Sequence, residues 1–276
     1  MSHPSPRSVD WSAIRTIVGR DIRAVRRSKA IVLPMALVPA VLLVALPFGI
    51  GLIARNAPTD QVQSALGSSL LKNLADPILG LPERERLVVL VLGYLLSPLL
   101  LVLPLMVSAV LAADAFAGEK ERRTLEVVLH LPISDRDLFA AKVLTAFLPA
   151  VALTWIGALL YTVVCNVVAW PVTGRLFLPF SQFAVTVLWI APAVALLALG
   201  LLVVVSSRAR TTQEANQLGG AVILPLIFVA AAQTSALMLL PVVSVLAVGA
   251  LVWAVGLALL WFNGRRFTRD RLASAG

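Results

Sequence analysis

The sequence predicts an all-α integral membrane protein with six transmembrane helices, an N-terminal amphipathic interfacial helix and a charged hairpin between the second and third spans. Two observations carry this. Hydrophobic residues make up 59% of the 276 residues and charged residues 13%, against roughly 45–50% and about 25% in a soluble domain. The charges are also segregated into short stretches between long charge-free runs, and mean hydropathy is +0.94. A charged side chain costs about 2.5 to 3.5 kcal/mol at the centre of a membrane helix. The charge-free runs therefore suit lipid and the charged stretches suit water.

Residues 1–30 form a cytoplasmic N-terminus. Trp11, Ile14, Ile17, Val18, Ile22 and Val25 recur at three- and four-residue spacing, with Arg15, Arg20, Arg23, Arg26 and Arg27 mostly on other faces. This is the pattern of an amphipathic helix on a membrane surface, its apolar side toward the acyl chains. The transmembrane domain occupies 31–264, with spans at 31–54, 87–113, 143–170, 182–205, 218–232 and 240–262. The first is about 36 Å long as helix, enough to cross a core of about 30 Å. Pro34, Pro39 and Pro47 are expected to bend it or to confine regular helix to parts of it. Between the first two spans, Asp60 with Gln63 resembles a capping box, and Val62, Leu66, Leu70 and Leu74 share one face. A short interfacial helix on the far side of the membrane is expected there. A short turn at 171–181 follows the third span.

The run 215–264 is charge-free for fifty residues. As one helix it would be about 75 Å long, so it must fold back. Gln233, Thr234 and Ser235, with Pro241 nearby, supply the turn. A basic tail with Arg265, Arg266, Arg269 and Arg271 ends the chain within 265–276. With both termini cytoplasmic, only Arg55, Lys72, Arg84, Arg86 and Arg175 of the 23 Lys and Arg lie outside. That bias is the positive-inside rule, and it accounts for the net charge of +9 without nucleic acid.

The most informative loop is 114–142. It carries Asp114, Glu119, Lys120, Glu121, Arg122, Arg123, Glu126, Asp135, Arg136, Asp137 and Lys142, which predicts a water-exposed hairpin. Leu125, Val128 and Leu129 fall on one face of a short helix, and Pro132 breaks it. Ser134 with Asp137 then makes a capping box that opens a helix continuous with the third span.

GEKERRTLEVVLHLPISDRDLFAAKVL resembles the signature of ABC-2 type permeases, the membrane subunits of one class of ATP-binding-cassette exporters. The family pattern is a Glu-Lys-Glu run, Gly-Thr-Leu-Glu, a Leu pair, Pro-Val/Ile-Ser, then Gly-Lys. Glu119-Lys120-Glu121, Thr124-Leu125-Glu126, Pro132-Ile133-Ser134 and Lys142 match it. Arg123 replaces a glycine, Val128-Leu129 the Leu pair, and Ala141 the second glycine. A second match is Thr212-Gln213-Glu214-Ala215-Asn216-Gln217, followed by Leu224-Pro225. The resemblance implies that the hairpin is a cytoplasmic coupling hairpin docking on a separate ABC ATPase. Glu119, Lys120, Glu121, Arg122, Thr124, Leu125, Glu126, Val128, Leu129, Pro132, Ile133 and Ser134 would make that contact. Gln213, Glu214 and Gln217 would form a second cytoplasmic loop. It also implies two ATPase copies, a second permease (identical or paralogous), a bacterial plasma (inner) membrane, and ATP and Mg on the ATPase rather than on this chain.

The residues exclude other classes. No Gly-x-x-x-x-Gly-Lys-Ser/Thr pattern occurs, so the chain carries no phosphate-binding loop of that type. The single cysteine, Cys165, cannot form an internal disulfide. The histidines, His3 and His130, are far apart, and no carboxylate pair suits hydrolysis. The chain is expected to be a non-catalytic subunit with no metal site. Ser97, Ser108, Thr154, Tyr161, Asn166 and Thr186 are candidate pathway-lining groups. A membrane scaffold or immunity protein using the same hairpin, and an ion-gradient-driven carrier, are the alternatives. The carrier suits the spans poorly, since they lack ionisable groups.

Overall fold

The computed structural model describes residues 10–58, 80–115, 133–208, 213–214, 217–221, 224–225 and 240–266. Every regular element among them is helical, with no strand. Five stretches are long and apolar enough to cross a membrane: Lys29–Arg55, Glu85–Ala113, Asp135–Thr173, Ser181–Val205 and Val242–Arg265. The predicted span at 218–232 falls mostly outside the described residues, as does the predicted interfacial helix after Asp60.

Helix α1 (Trp11–Arg27) starts where the Asp10 carboxylate accepts from the amides of Ser12 and Ala13 at 3.1 and 3.0 Å. Arg26 and Arg27 occupy its last turn, where a cation complements the helix dipole. Its apolar stripe does not simply face acyl chains. Ile14 and Ile17 are buried against Leu138 and Ala141, while Trp11 stays 68% exposed. Helical periodicity marks an apolar face without saying whether protein or lipid covers it.

The first span joins α2 (Lys29–Ala40) and α3 (Leu46–Arg55) through a π turn at Val41–Ala45. Each proline removes a backbone donor. The wide turn between Pro39 and Pro47 absorbs the mismatch, so the span remains helical throughout. The second span is more irregular than a charge-free run suggests. After α4 (Glu83–Val89) come a π segment at Leu90–Leu95, a 3-10 turn at Ser97–Leu101 opened by Pro98, and α5 (Val102–Ala113).

Helix α6 (Asp135–Thr173) has 39 residues, about 58 Å, nearly twice the membrane core of about 30 Å. The Ser134 hydroxyl accepts from the Asp137 amide at 3.1 Å and caps its start. Gly174, at φ 60, ends it in the left-handed conformation that glycine adopts freely. The predicted turn at 171–181 is therefore shorter, since helix continues through Pro171 to Thr173. The fourth span comprises α7 (Ser181–Val185), a π segment at Thr186–Ile190, and α8 (Ala191–Arg208). The last is α9 (Val242–Arg266).

Helix α8 forms the centre, packing on α9, α5 and α6. Leu199 and Leu202 meet Leu105, Leu111, Ala146, Ala150 and Val245 in one buried cluster. A second cluster, with Leu43, Leu92, Leu103, Tyr161, Val168 and Phe183, fills the other half. In the fourth span 72% of the most apolar stretch is buried, against 17% in the first and last. Those two peripheral spans therefore turn apolar faces outward.

In two of the three π segments, Leu90–Leu95 and Thr186–Ile190, backbone carbonyls accept hydrogen bonds from side chains of other helices. Tyr161 donates its hydroxyl to the Leu92 carbonyl. The indole N–H groups of Trp155 and Trp253 donate to Val187 and Trp189, each at 3.2 Å.

Two predictions rest on this packing. A Cβ at Gly256 would lie 3.0 Å from the backbone nitrogen of Leu197, where nothing can yield cheaply. Gly256→Ala should destabilise the α8–α9 contact by roughly 1–3 kcal/mol. Gly49→Ala, whose Cβ meets nothing within 4 Å, should not; thermal unfolding in detergent compares them. Hydrogen bonds from Ala13 N–H and the Ser12 hydroxyl hold the Asp10 carboxyl below the usual carboxylate range. The stability this adds is present above the ordinary pKa of about 3.9 and is lost as pH falls through the lowered folded value. Acid should then fray the start of α1, seen as a shift in Trp11 emission, whereas Asp10→Asn should keep the cap and abolish that pH dependence.

Candidate functional site

The charged segment 114–142 links α5 to α6, and most of its motif lies outside the described residues. Glu119, Lys120, Glu121, Arg122, Thr124, Leu125, Glu126, Val128, Leu129 and Pro132 belong to the undescribed part. Ile133 and Ser134 are described. Ile133 packs beside the cluster of Ile14, Ile17, Leu138 and Ala141, and Ser134 caps α6.

Two charged residues depart from the expectation of a water-exposed stretch. Asp137 is 8% exposed and Lys142 only 1%. Lys142, two turns into α6, donates its Nζ to the Ala115 carbonyl at 2.8 Å. It thereby ties the start of one hairpin arm to the end of the other. Asp137 Oδ2 accepts a long hydrogen bond, 3.5 Å, from the Asp10 amide ahead of α1. The capping-box expectation is thus met on the Ser134 side, while the Asp137 carboxylate reaches α1. A buried ammonium ion needs oxygen partners because burial strips its water. A carbonyl 27 residues away supplies one, and nothing in local sequence could announce it.

A small cavity of about 60 Å³ sits at the same junction, lined by Asp21 and Val25 of α1, Leu111 of α5, Asp114, Ala115 and Thr145 of α6. Asp21 pairs with Arg20 at 2.8 Å. The Thr145 hydroxyl donates to the Ala141 carbonyl at 2.9 Å. Three segments from distant parts of the chain therefore meet where the hairpin attaches. Such a junction can transmit force between the loop and the spans. Among the described residues, no group of three or more His, Cys, Asp or Glu is placed to hold a metal.

In the second loop Gln213, Glu214 and Gln217 are exposed and helical. The candidate lining groups are all buried in this chain. Ser108 on α5 donates to the Ala195 carbonyl of α8 at 3.4 Å. Thr154 and Thr186 bond to carbonyls one turn back, at 2.7 and 2.8 Å. Tyr161 reaches Leu92 across to the second span. Ser97, in the broken part of that span, is 1% exposed and its hydroxyl finds no hydrogen-bond partner among the described residues.

Asn166 does the most. Its Nδ2 donates to Thr162 and Leu178 carbonyls, both at 2.8 Å, and its Oδ1 accepts from the amides of Phe177 and Leu178 at 3.0 and 3.3 Å. It fastens the 174–180 turn onto α6. Asn166→Leu removes the partner of the Leu178 carbonyl and of the Phe177 and Leu178 amides and should cost roughly 2–4 kcal/mol, since each buried orphan costs about 1–3 kcal/mol. Thermal unfolding of the purified variant measures this.

The geometry is that of a helical membrane bundle in which the described ends of the charged segment 114–142 pack among α1, α5 and α6. The family model described as ABC-2 family transporter protein matches residues 15–244. No curated protein and no solved structure matches the chain. The family match runs from α1 into the start of α9 and so takes in the hairpin and the broken second span, and this chain belongs to the ABC-2 family of transporter proteins.

Proposed function

We propose that this chain is the permease subunit of an ATP-driven exporter, forming the substrate pathway and energised by a separate ATPase. The observation that carries the proposal is the sequence motif 119–134 between two membrane helices, together with the bond from Lys142 to the Ala115 carbonyl that joins the two flanking segments. A loop that only kept charges solvated would need no such internal tie. In this reading six spans cross a bacterial inner membrane with both termini cytoplasmic. The segment 1–30 carries α1 at the membrane surface, 31–264 forms the transmembrane domain, and 265–276 is a basic tail.

Glu119 to Ser134 dock as a coupling hairpin on the ATPase, with Gln213, Glu214 and Gln217 in a second cytoplasmic loop. Two ATPases, which hold ATP and Mg, serve two permeases. Ser97, Ser108, Thr154, Tyr161 and Asn166 lie close to the path. Family membership supports the permease role and, with it, an ABC ATPase partner in general.

Mechanistically, the ATPase dimer binds ATP more tightly when closed than when open. That difference biases the permease between two packings, and nothing else about ATP can. Force enters at the hairpin. Because Lys142 holds both arms at their roots and Ile14 and Ile17 of α1 pack on the same part of α6, a displacement of the loop moves α6 and α1 together.

Reconstitution with the ATPase tests the reading. Glu121→Ala and Glu126→Ala should abolish or strongly reduce ATP-dependent transport while the protein still folds and melts normally. Transport in vesicles lacking any ATPase would instead establish a gradient-driven carrier. Assembly with a partner, without substrate-stimulated ATP hydrolysis, would establish a scaffold.

A further inference from the structure

A groove of about 260 Å³ opens between the start of α6 and the end of α9. Arg136 and Arg265 flank it, and Phe139, Leu260 and Trp261 contribute apolar walls. The Arg265 guanidinium lies 3.7 Å from the centroid of the Trp261 ring, and Trp261 itself is 59% exposed. Phe139 and Leu260, by contrast, are 7% and 9% exposed. The groove thus has a buried apolar floor and an aromatic edge, with two exposed cations at its mouth.

Its height in the membrane follows from the spans. The apolar run of the last span ends at Arg265, and α6 begins with Asp135, Arg136 and Asp137 before its own apolar run. Both arginines therefore sit at one membrane–water boundary. Of the neighbouring acids, Asp137 is buried and turned to the Asp10 amide, while Asp135 immediately precedes Arg136. An exposed tryptophan at this depth is typical of an interfacial anchor. A basic pocket between membrane helices at the boundary suits a lipid phosphate.

We infer that this groove holds the headgroup of an anionic phospholipid, its phosphate between Arg136 and Arg265 and its acyl chain along Leu260 and Trp261. A soluble anion would gain the two cations but not the apolar walls. A zwitterionic lipid would gain the walls but bring no net charge to the cations.

The test uses the full-length chain taken from vesicles of phosphatidylcholine with or without phosphatidylglycerol, washed in detergent and examined for retained lipid by native mass spectrometry. Wild-type protein should keep phosphatidylglycerol and lose phosphatidylcholine. Retention should fall roughly tenfold or more in Arg136→Gln/Arg265→Gln, in which two surface charges are lost. The Arg136→Lys/Arg265→Lys variant preserves charge and should keep an intermediate share, and it serves if the glutamine variant does not fold. Arg175→Gln, at the other end of the bundle beside Glu85, should behave as wild type. Equal retention of both lipids by wild type would overturn the inference, as would unchanged retention in the glutamine variant. So would displacement of the bound lipid by free glycerol phosphate. Cross-linking of position 136 to another polypeptide, with no lipid retained, would reassign the groove to a protein partner.

Discussion

Inside a bilayer a backbone carbonyl or an ammonium group has no water to fall back on, and the architecture of this chain follows from meeting that demand. Three of its spans depart from α-helical geometry through π segments, at Val41–Ala45, Leu90–Leu95 and Thr186–Ile190. In the latter two an aromatic donor from another helix meets a backbone carbonyl: Tyr161 on Leu92, Trp155 on Val187, Trp253 on Trp189. These bonds do more than satisfy groups. They cross between helices, so the irregular segments become the places where the bundle is pinned. Because lipid is as apolar as leucine, burial alone gives weak instruction about which helix faces which. Directional bonds from Tyr, Trp, Asn and Lys provide that instruction here.

The same demand explains the root of the hairpin. Lys142 is buried by the surrounding helices, yet its ammonium needs oxygen. The Ala115 carbonyl, two residues beyond α5, supplies it. The bond joins the two arms at their roots. Asn166 plays the corresponding part at the other end of α6, where its amide meets four backbone groups. The long helix is thus held near both ends by polar side chains and along its middle by apolar contact.

Much of this was legible from residues. Charge-free runs located the five spans that are described, Ser134 announced the start of α6, and the apolar spacing in 11–25 announced α1. The hairpin motif pointed to the family that the match over 15–244 establishes. The rest depended on contacts between residues far apart in the chain. Charge at Lys142 suggested water, because its partner is 27 residues away. The stripe on α1 suggested lipid, because periodicity does not distinguish Leu138 from an acyl chain. Pro98 and Pro104 lie in a run apolar enough to pass for one regular helix, so the break near Ser97 left no hydropathy signature. Equally, the fourth and last spans have similar hydropathy, 2.7 and 2.5, although one is central and the other peripheral.

Pro149 stands inside α6, between the segment gripped by Lys142 and the segment gripped by Asn166. A proline there deletes one rung of the ladder and crowds the preceding turn. That missing rung lies about 21 Å from the start of the helix, with the longer limb beyond it. The shorter, lower limb can swing at that joint while the upper limb keeps its hold on the opposite rim. A helix usually treated as a stiff rod becomes an articulated one, able to yield at one membrane face without disturbing the other.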